Sequence, residues 1–134
     1  MPTVRTETVP VRNSDDVLRV RQIVRTWAVE VRFSLVDQTK LITAASEIAR
    51  NTVIYGGGGE LTLERLEERG RHGLRLIFAD QGPGIPDIDR ALSDGYTSGS
   101  GLGLGLGGAK RLVNDFTIES KPGAGTTIRL TRWR

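Results

Sequence analysis

Residues 60–80 read ELTLERLEERGRHGLRLIFAD. Two strand-like runs, 60–68 and 73–80, flank a polar turn from Arg69 to Gly73, the pattern of an antiparallel hairpin. A second such pair closes the chain. Strands over 115–121 and 125–132 are joined by the turn Pro122-Gly123-Ala124-Gly125. Upstream, residues 3–12 (TVRTETVPVR) alternate apolar and polar, and Pro10 places that strand at an edge or ends it early.

Helices fill the intervals. Ser14-Asp15-Asp16 supplies an N-cap and first-turn acids. Val17, Val20, Ile23 or Val24, Trp27 and Val31 follow at helical spacing, predicting a helix over about 15–32. Ser34 caps a second helix over 35–54, whose inward stripe is Leu41, Ala44, Ala45, Ile48, Thr52 and Val53, and Gly56 to Gly59 stop it. Residues 81–100 form a long loop rich in Gly, Pro, Ser and Asp, and a third helix is expected over about 106–114. The order β-α-α-β-β-loop-α-β-β predicts a mixed, mostly antiparallel sheet. Three helices with one apolar stripe each need a single sheet face to cover. The expected fold class is a two-layer α/β sandwich, one domain over 1–134, rather than a doubly wound parallel sheet.

Composition narrows the function. The chain has 134 residues and no cysteine, which removes disulfides, thiolate metal sites and cysteine nucleophiles. That absence fits a reducing, cytoplasmic setting. No apolar run approaches the roughly 18 residues of a membrane span, and MPTVRTETVP is no signal peptide. The net charge of +3 is dispersed, and only 5% of residues are aromatic. Neither a basic face nor a stacking platform for bases is expected, which argues against nucleic-acid binding.

Three short motifs carry candidate chemistry. Glu47-Ile48-Ala49-Arg50-Asn51 places Glu47 and Asn51 one turn apart on one side of a helix. Glu can accept a proton, and the Asn amide oxygen is a hard, neutral ligand suited to Mg²⁺. The plainer reading is two solvated neighbours. Asp80-Gln81-Gly82-Pro83-Gly84-Ile85 sets a carboxylate at a strand end, where Gly82 and Gly84 allow close approach by a planar ligand. That carboxylate could accept the exocyclic amine of adenine, or the segment could be an ordinary Asp-Gly turn. The third motif is Gly101-Leu102-Gly103-Leu104-Gly105-Leu106-Gly107-Gly108. Seven of the 17 Gly lie between 95 and 108, and each costs a helix start about 1 kcal/mol against Ala, so a purely structural helix would not carry them. Their N–H groups can approach a phosphate, with Leu102, Leu104 and Leu106 as apolar anchors. A flexible hinge is the competing reading. No strand leads into Gly103-x-Gly105-x-x-Gly108, which argues against a dinucleotide fingerprint, and no G-x-x-x-x-G-K-[ST] is present.

Taken in order, Glu47-x-x-x-Asn51, Asp80-x-Gly82-x-Gly84, Gly101-x-Gly103-x-Gly105 and Gly125-Thr126-Thr127 resemble the Bergerat-fold (GHKL) ATP-binding domain. That domain is shared by gyrases, heat-shock protein 90, mismatch-repair proteins and sensor histidine kinases. The likeness runs over nearly the whole chain. With the chain beginning just before the first helix and stopping at the last strand, neither a phospho-accepting hairpin nor a transducer domain is expected. A bare domain of this size is most similar to the anti-sigma-factor serine/threonine kinases, and among them to the stressosome switch kinases.

The resemblance implies roles. Asp80 would bind adenine N6, assisted through water by Thr126 or Thr127, beside Gly82, Gly84 and Ile85. Asn51 would hold Mg²⁺, the Gly101–Gly107 backbone would cradle the β- and γ-phosphates of ATP, and residues 87–100 would form a short lid. Glu47 would take the proton of an incoming Ser or Thr hydroxyl. The implied partners are STAS-domain proteins, with a PP2C-type phosphatase or a sigma factor as further candidates. Arg50 and Lys110 are cations that could reach phosphate, without a decided role. His72, the one histidine, reads as a surface residue of the 69–73 turn rather than a phosphate carrier. Two alternatives stay open: a nucleotide-dependent binder without significant kinase activity, and a stand-alone ATPase fragment or orphan histidine-kinase domain.

Overall fold

The computed structural model describes residues 3–85, 87–92 and 105–134. Among these, β1 (Thr3–Val11), β2 (Gly59–Glu68), β3 (Arg71–Asp80), β4 (Asp115–Ser120) and β5 (Thr126–Trp133) form one sheet of order β1-β2-β3-β5-β4. The expectation of a mixed sheet is corrected: every strand pair among the described residues is antiparallel. β1 is an edge strand, as Pro10 requires.

The helices are α1 (Ser14–Glu30), α2 (Leu35–Ile54), a one-turn α3 (Ile88–Ala91) and α4 (Gly105–Arg111). Asn13, not Ser14, caps α1: its Oδ1 accepts from the Asp16 N–H at 2.9 Å. Ser34 caps α2 as expected, accepting from the Asp37 N–H at 3.1 Å. The turn that opened the sequence reading is tighter than its composition suggests. Arg69 and Gly70 alone connect β2 and β3, both at positive φ (53° and 79°), a two-residue hairpin of the primed type. His72 therefore lies in a strand opposite Glu67, with Nδ1 3.6 Å from the Glu67 carboxylate. Gly73 mimics a turn residue for another reason. A Cβ there would lie 2.7 Å from the Trp133 ring, which crosses it on the far side of the sheet under the Arg71 guanidinium.

One face of the sheet carries the core. Leu61, Leu63, Leu74, Leu76, Phe78, Ile128 and Leu130 pack against Val20, Val24 and Trp27 of α1 and Leu41, Ala44, Ala45 and Ile48 of α2. The opposite face is mostly polar, with Thr62, Glu64, Arg75, Thr127, Arg129 and Thr131 and the pairs Arg75–Glu64 and Arg129–Glu119, both at 3.0 Å, beside a small apolar group of Leu66, Ile77 and Trp133. A two-layer arrangement thus suffices. Arg132 joins three elements at the far end, donating to the Leu112 carbonyl at 2.8 Å beyond α4 and to Asp37 at 2.6 Å on α2. That hydrogen bond, helped by the charge of the guanidinium, holds the Asp37 carboxyl below its ordinary value against the opposing effect of burial.

Candidate nucleotide site

The last turn of α2, the end of β3 and the start of β5 converge. Asn51, Thr52, Tyr55, Gly56, Asp80, Gly84, Ile85, Ala91, Gly105, Leu106, Thr126 and Ile128 line a cavity of about 250 Å³. Register explains the convergence. Asp80, the last residue of β3, pairs with Thr126 of β5, and Thr126 pairs with Ser120 of β4, so the three form one row on the helix-covered face. Strand alternation sends Thr127 to the opposite face, opposite Ala79 and Glu119. Thr126, not Thr127, is therefore the threonine of the site.

Asp80 is held from one side. Its Oδ1 accepts the Gly82 N–H at 2.9 Å, while Oδ2 receives no hydrogen bond among the described residues. A Cβ on Gly56 would stand 2.5 Å from Asp80 Cγ and Oδ2, so only glycine leaves room for the carboxylate there. Gly82 does not line the cavity; it packs on Gly56, where a Cβ would come within 2.7 Å of the Gly56 Cα. The half-buried Asn51 side chain forms no hydrogen bond among the described residues. An open carboxylate oxygen and an open amide in one cavity suit a ligand that offers an amine and carries a hard cation. Among the described residues no cluster of three or more His, Cys, Asp or Glu could hold a metal ion.

Glu47 lies one turn up α2, buried and outside the cavity lining. Its Oε1 accepts the Gly105 N–H at 3.2 Å, and its Oε2 accepts from Arg50 Nη1 at 3.1 Å. Arg50 thus orients the carboxylate. Gly107 faces a neighbouring cavity with Leu92, Lys110 and Arg111 rather than the first one. Gly101, Leu102, Gly103 and Leu104 of the expected phosphate cradle, and 93–100 of the expected lid, lie outside the described residues. The described part of the loop holds α3, capped by Asp87, whose Oδ1 accepts the Arg90 N–H at 3.0 Å.

Sequence reasoning missed Thr52, Tyr55, Gly56 and Ile128 as lining residues, and placed Ala91 only within the expected lid. Ile128 was findable, since it lies two residues from Thr126 on the same face of β5. Gly56 read only as a helix stop.

Residues 36–133 match the family model of histidine kinase-, DNA gyrase B-, and HSP90-like ATPases. The chain is 45% identical over 118 residues to the serine/threonine-protein kinase RsbT of Bacillus subtilis, covering 88% of this chain and 89% of that one. It is 33% identical over 104 residues to an anti-sigma F factor of Bacillus licheniformis, covering 72% and 69%. Among solved structures, the RsbU and RsbW domains of Rv1364c from Mycobacterium tuberculosis superpose with a TM-score of 0.66 at 21% identity, over 98% of this chain but a third (33%) of that one. The mycobacterial sensor histidine kinase MprB gives 0.55 at 20%, over 96% and 97%. Both superpositions speak for the fold alone.

Proposed function

The chain belongs to the histidine kinase-, DNA gyrase B- and HSP90-like ATPases and, within them, to the family of the RsbT serine/threonine kinase; on that premise we propose how it works. It binds ATP in the cavity between α2 and the β3 and β5 ends, and transfers the γ-phosphoryl group to a serine or threonine of a STAS-domain partner in a cytoplasmic stress-response module. Residues 1–134 act as one nucleotide-binding unit.

Phosphoryl transfer asks mainly for positioning and charge neutralisation. Asp80 Oδ2 accepts the adenine N6 amine, while Gly82 fixes the other carboxylate oxygen. The Asn51 amide oxygen would hold Mg²⁺, which neutralises phosphate charge when bound. The backbone from Gly101 to Gly107 would take the β- and γ-phosphates. Glu47 receives the proton of the acceptor hydroxyl, oriented for this by Arg50. Its bond to the Gly105 N–H ties the proton acceptor to the segment that would meet the phosphates. A PP2C-type phosphatase or a sigma factor is the further partner class.

The single observation that carries the reading is the convergence of Asn51, Asp80 and Thr126 on one cavity, with Glu47 bonded to its Gly105 rim. Thermal unfolding with Mg-ADP and Mg-GDP tests the site. At ligand about 100 times its Kd, binding adds roughly 2.7 kcal/mol, and only the adenine nucleotide should do so. Labelled ATP and a STAS-domain acceptor test the reaction. Label on serine or threonine supports it, whereas nucleotide binding without transfer favours the binding-module alternative.

A further inference from the structure

The turn between α1 and α2 carries charge and apolar surface that the nucleotide site does not use. α1 ends in a Schellman motif: the Arg32 N–H donates to the Val29 carbonyl and the Phe33 N–H to the Ala28 carbonyl, both at 3.0 Å. The place that Arg32 takes in this motif is usually held by glycine, because its φ is positive. Here φ is 69° on an arginine that is exposed. Around it stand Val29, Leu35 and Val36, exposed at 56%, 76% and 62%. Arg25 lies one turn before Val29 on the outward side of α1, away from the buried Val24, Trp27 and Ala28. Both acids between residues 25 and 40 are engaged within the chain, Glu30 by Arg5 at 2.9 Å and Asp37 by Arg132 at 2.6 Å. Neither Arg25 nor Arg32 forms an ion pair among the described residues, so the tip is left apolar and positive.

We infer that this helical tip is a docking surface for an acidic segment of a partner protein. The segment sets an aliphatic or aromatic side chain among Val29, Leu35 and Val36, and carboxylates against Arg25 and Arg32. Charge complementarity selects that occupant. A second copy of the chain would bring the same unpaired arginines face to face. A lipid surface asks for a continuous apolar face, which Arg25 and Arg32 interrupt. The left-handed Arg32 points the same way, since glycine there would be free of strain but could hold no carboxylate. The tip lies at the first turn of α2 and the cavity at its last, with Val36 and Asn51 about 22 Å apart along the helix. A partner seated on the tip therefore leaves the cavity open, and the inference stands apart from the nucleotide reading.

The probe is a library of random peptides displayed on phage and panned against the full chain. Enriched sequences should combine Asp or Glu with Leu, Ile or Phe. One of them, synthesised and labelled, should bind the wild type in fluorescence anisotropy, and Mg-ADP should not displace it. Arg25→Glu, Arg32→Gly and the double variant Leu35→Ser, Val36→Ser should each weaken that peptide roughly tenfold or more. Arg32→Gly separates docking from folding, because it removes the side chain and the strain together: peptide binding should fall while Tm holds or rises. Were Arg32 kept for folding alone, Tm would fall and the peptide would still bind. Enrichment of neutral or basic sequences, no enrichment, an affinity that survives Arg32→Gly, or displacement by Mg-ADP overturns the inference. So does binding to phosphatidylglycerol vesicles that Arg32→Gly abolishes, the outcome for a membrane, or a wild-type dimer that Leu35→Ser breaks, the outcome for a second copy.

Discussion

Gly56→Ala is the sharpest single test of the site, because space and backbone freedom separate there. The added methyl would lie 2.5 Å from Asp80 Cγ and Oδ2, about 1 Å inside ordinary contact. The Gly56 backbone has little room to retreat. Its N–H is bonded to the Asn51 carbonyl at 3.2 Å, and Gly82 closes on it from the other side. The carboxylate must turn instead, leaving its rotamer at about 0.5–1.5 kcal/mol. It also gives up a charge-assisted bond from the Gly82 N–H worth about 1.5–3 kcal/mol. Together this predicts roughly 2–4 kcal/mol lost from adenine-nucleotide binding, about 30- to 1000-fold in Kd. Stability should fall as well, but by less. Gly56 is not at positive φ, so alanine gains about 0.4–1 kcal/mol from the unfolded chain, which offsets only part of the turned carboxylate and leaves a loss of roughly 1–3 kcal/mol. Calorimetry with Mg-ADP and a ligand-free melting curve read the two effects separately. An ADP affinity within threefold of wild type would refute the assignment of Asp80 as the base-binding carboxylate.

Three further outcomes are expected. Glu47→Gln should cut phosphorylation of a STAS acceptor by roughly 10²–10⁴, with ADP affinity within a few-fold, measured by label transfer and calorimetry on the same preparation. Asn51→Ala should abolish the increase in ADP affinity that Mg²⁺ confers while leaving metal-free binding largely intact, read by titration with and without EDTA. Arg132→Met should lower Tm at pH 7 by about 6–10 °C, from roughly 2 kcal/mol of lost charge-assisted bonds to Asp37 and Leu112. Because the folded-state pKa of Asp37 is depressed, its contribution is fully present above the ordinary value of 3.8 and is lost as pH falls below it. The Tm gap between wild type and Arg132→Met should therefore narrow in melting curves taken below about pH 4.

Much of this molecule is written in local pattern, and the exceptions have identifiable causes. The stripes of α1 and α2 were readable because Val20, Val24, Trp27, Leu41, Ala45 and Ile48 repeat at helical spacing and are buried. Asp80, Asn51 and Thr126 were readable as chemistry, but nothing local says that they meet. Their meeting depends on the β3–β5 register, a pairing across some fifty residues. The 69–73 turn misled because Gly73 serves a tertiary purpose, the passage of the Trp133 ring. Asn13 and Ser14 are both good caps, and only geometry chooses between them. Gly56 escaped notice because it acts through a neighbour, by leaving Asp80 space.

The Asp80 end of the cavity is backed by main chain packed on main chain. Gly82 abuts Gly56; Gly84, at φ 81°, abuts the Lys121 carbonyl; Gly125, at φ 80°, abuts that of Asp80. Evolution cannot widen or reshape such a wall one side chain at a time, because every first step collides with a neighbouring peptide. Drift in cofactor preference, or an inhibitor built to tell this chain from its cousins, must work through the few lining positions whose bulk is negotiable: Tyr55, Ala91 and Ile128.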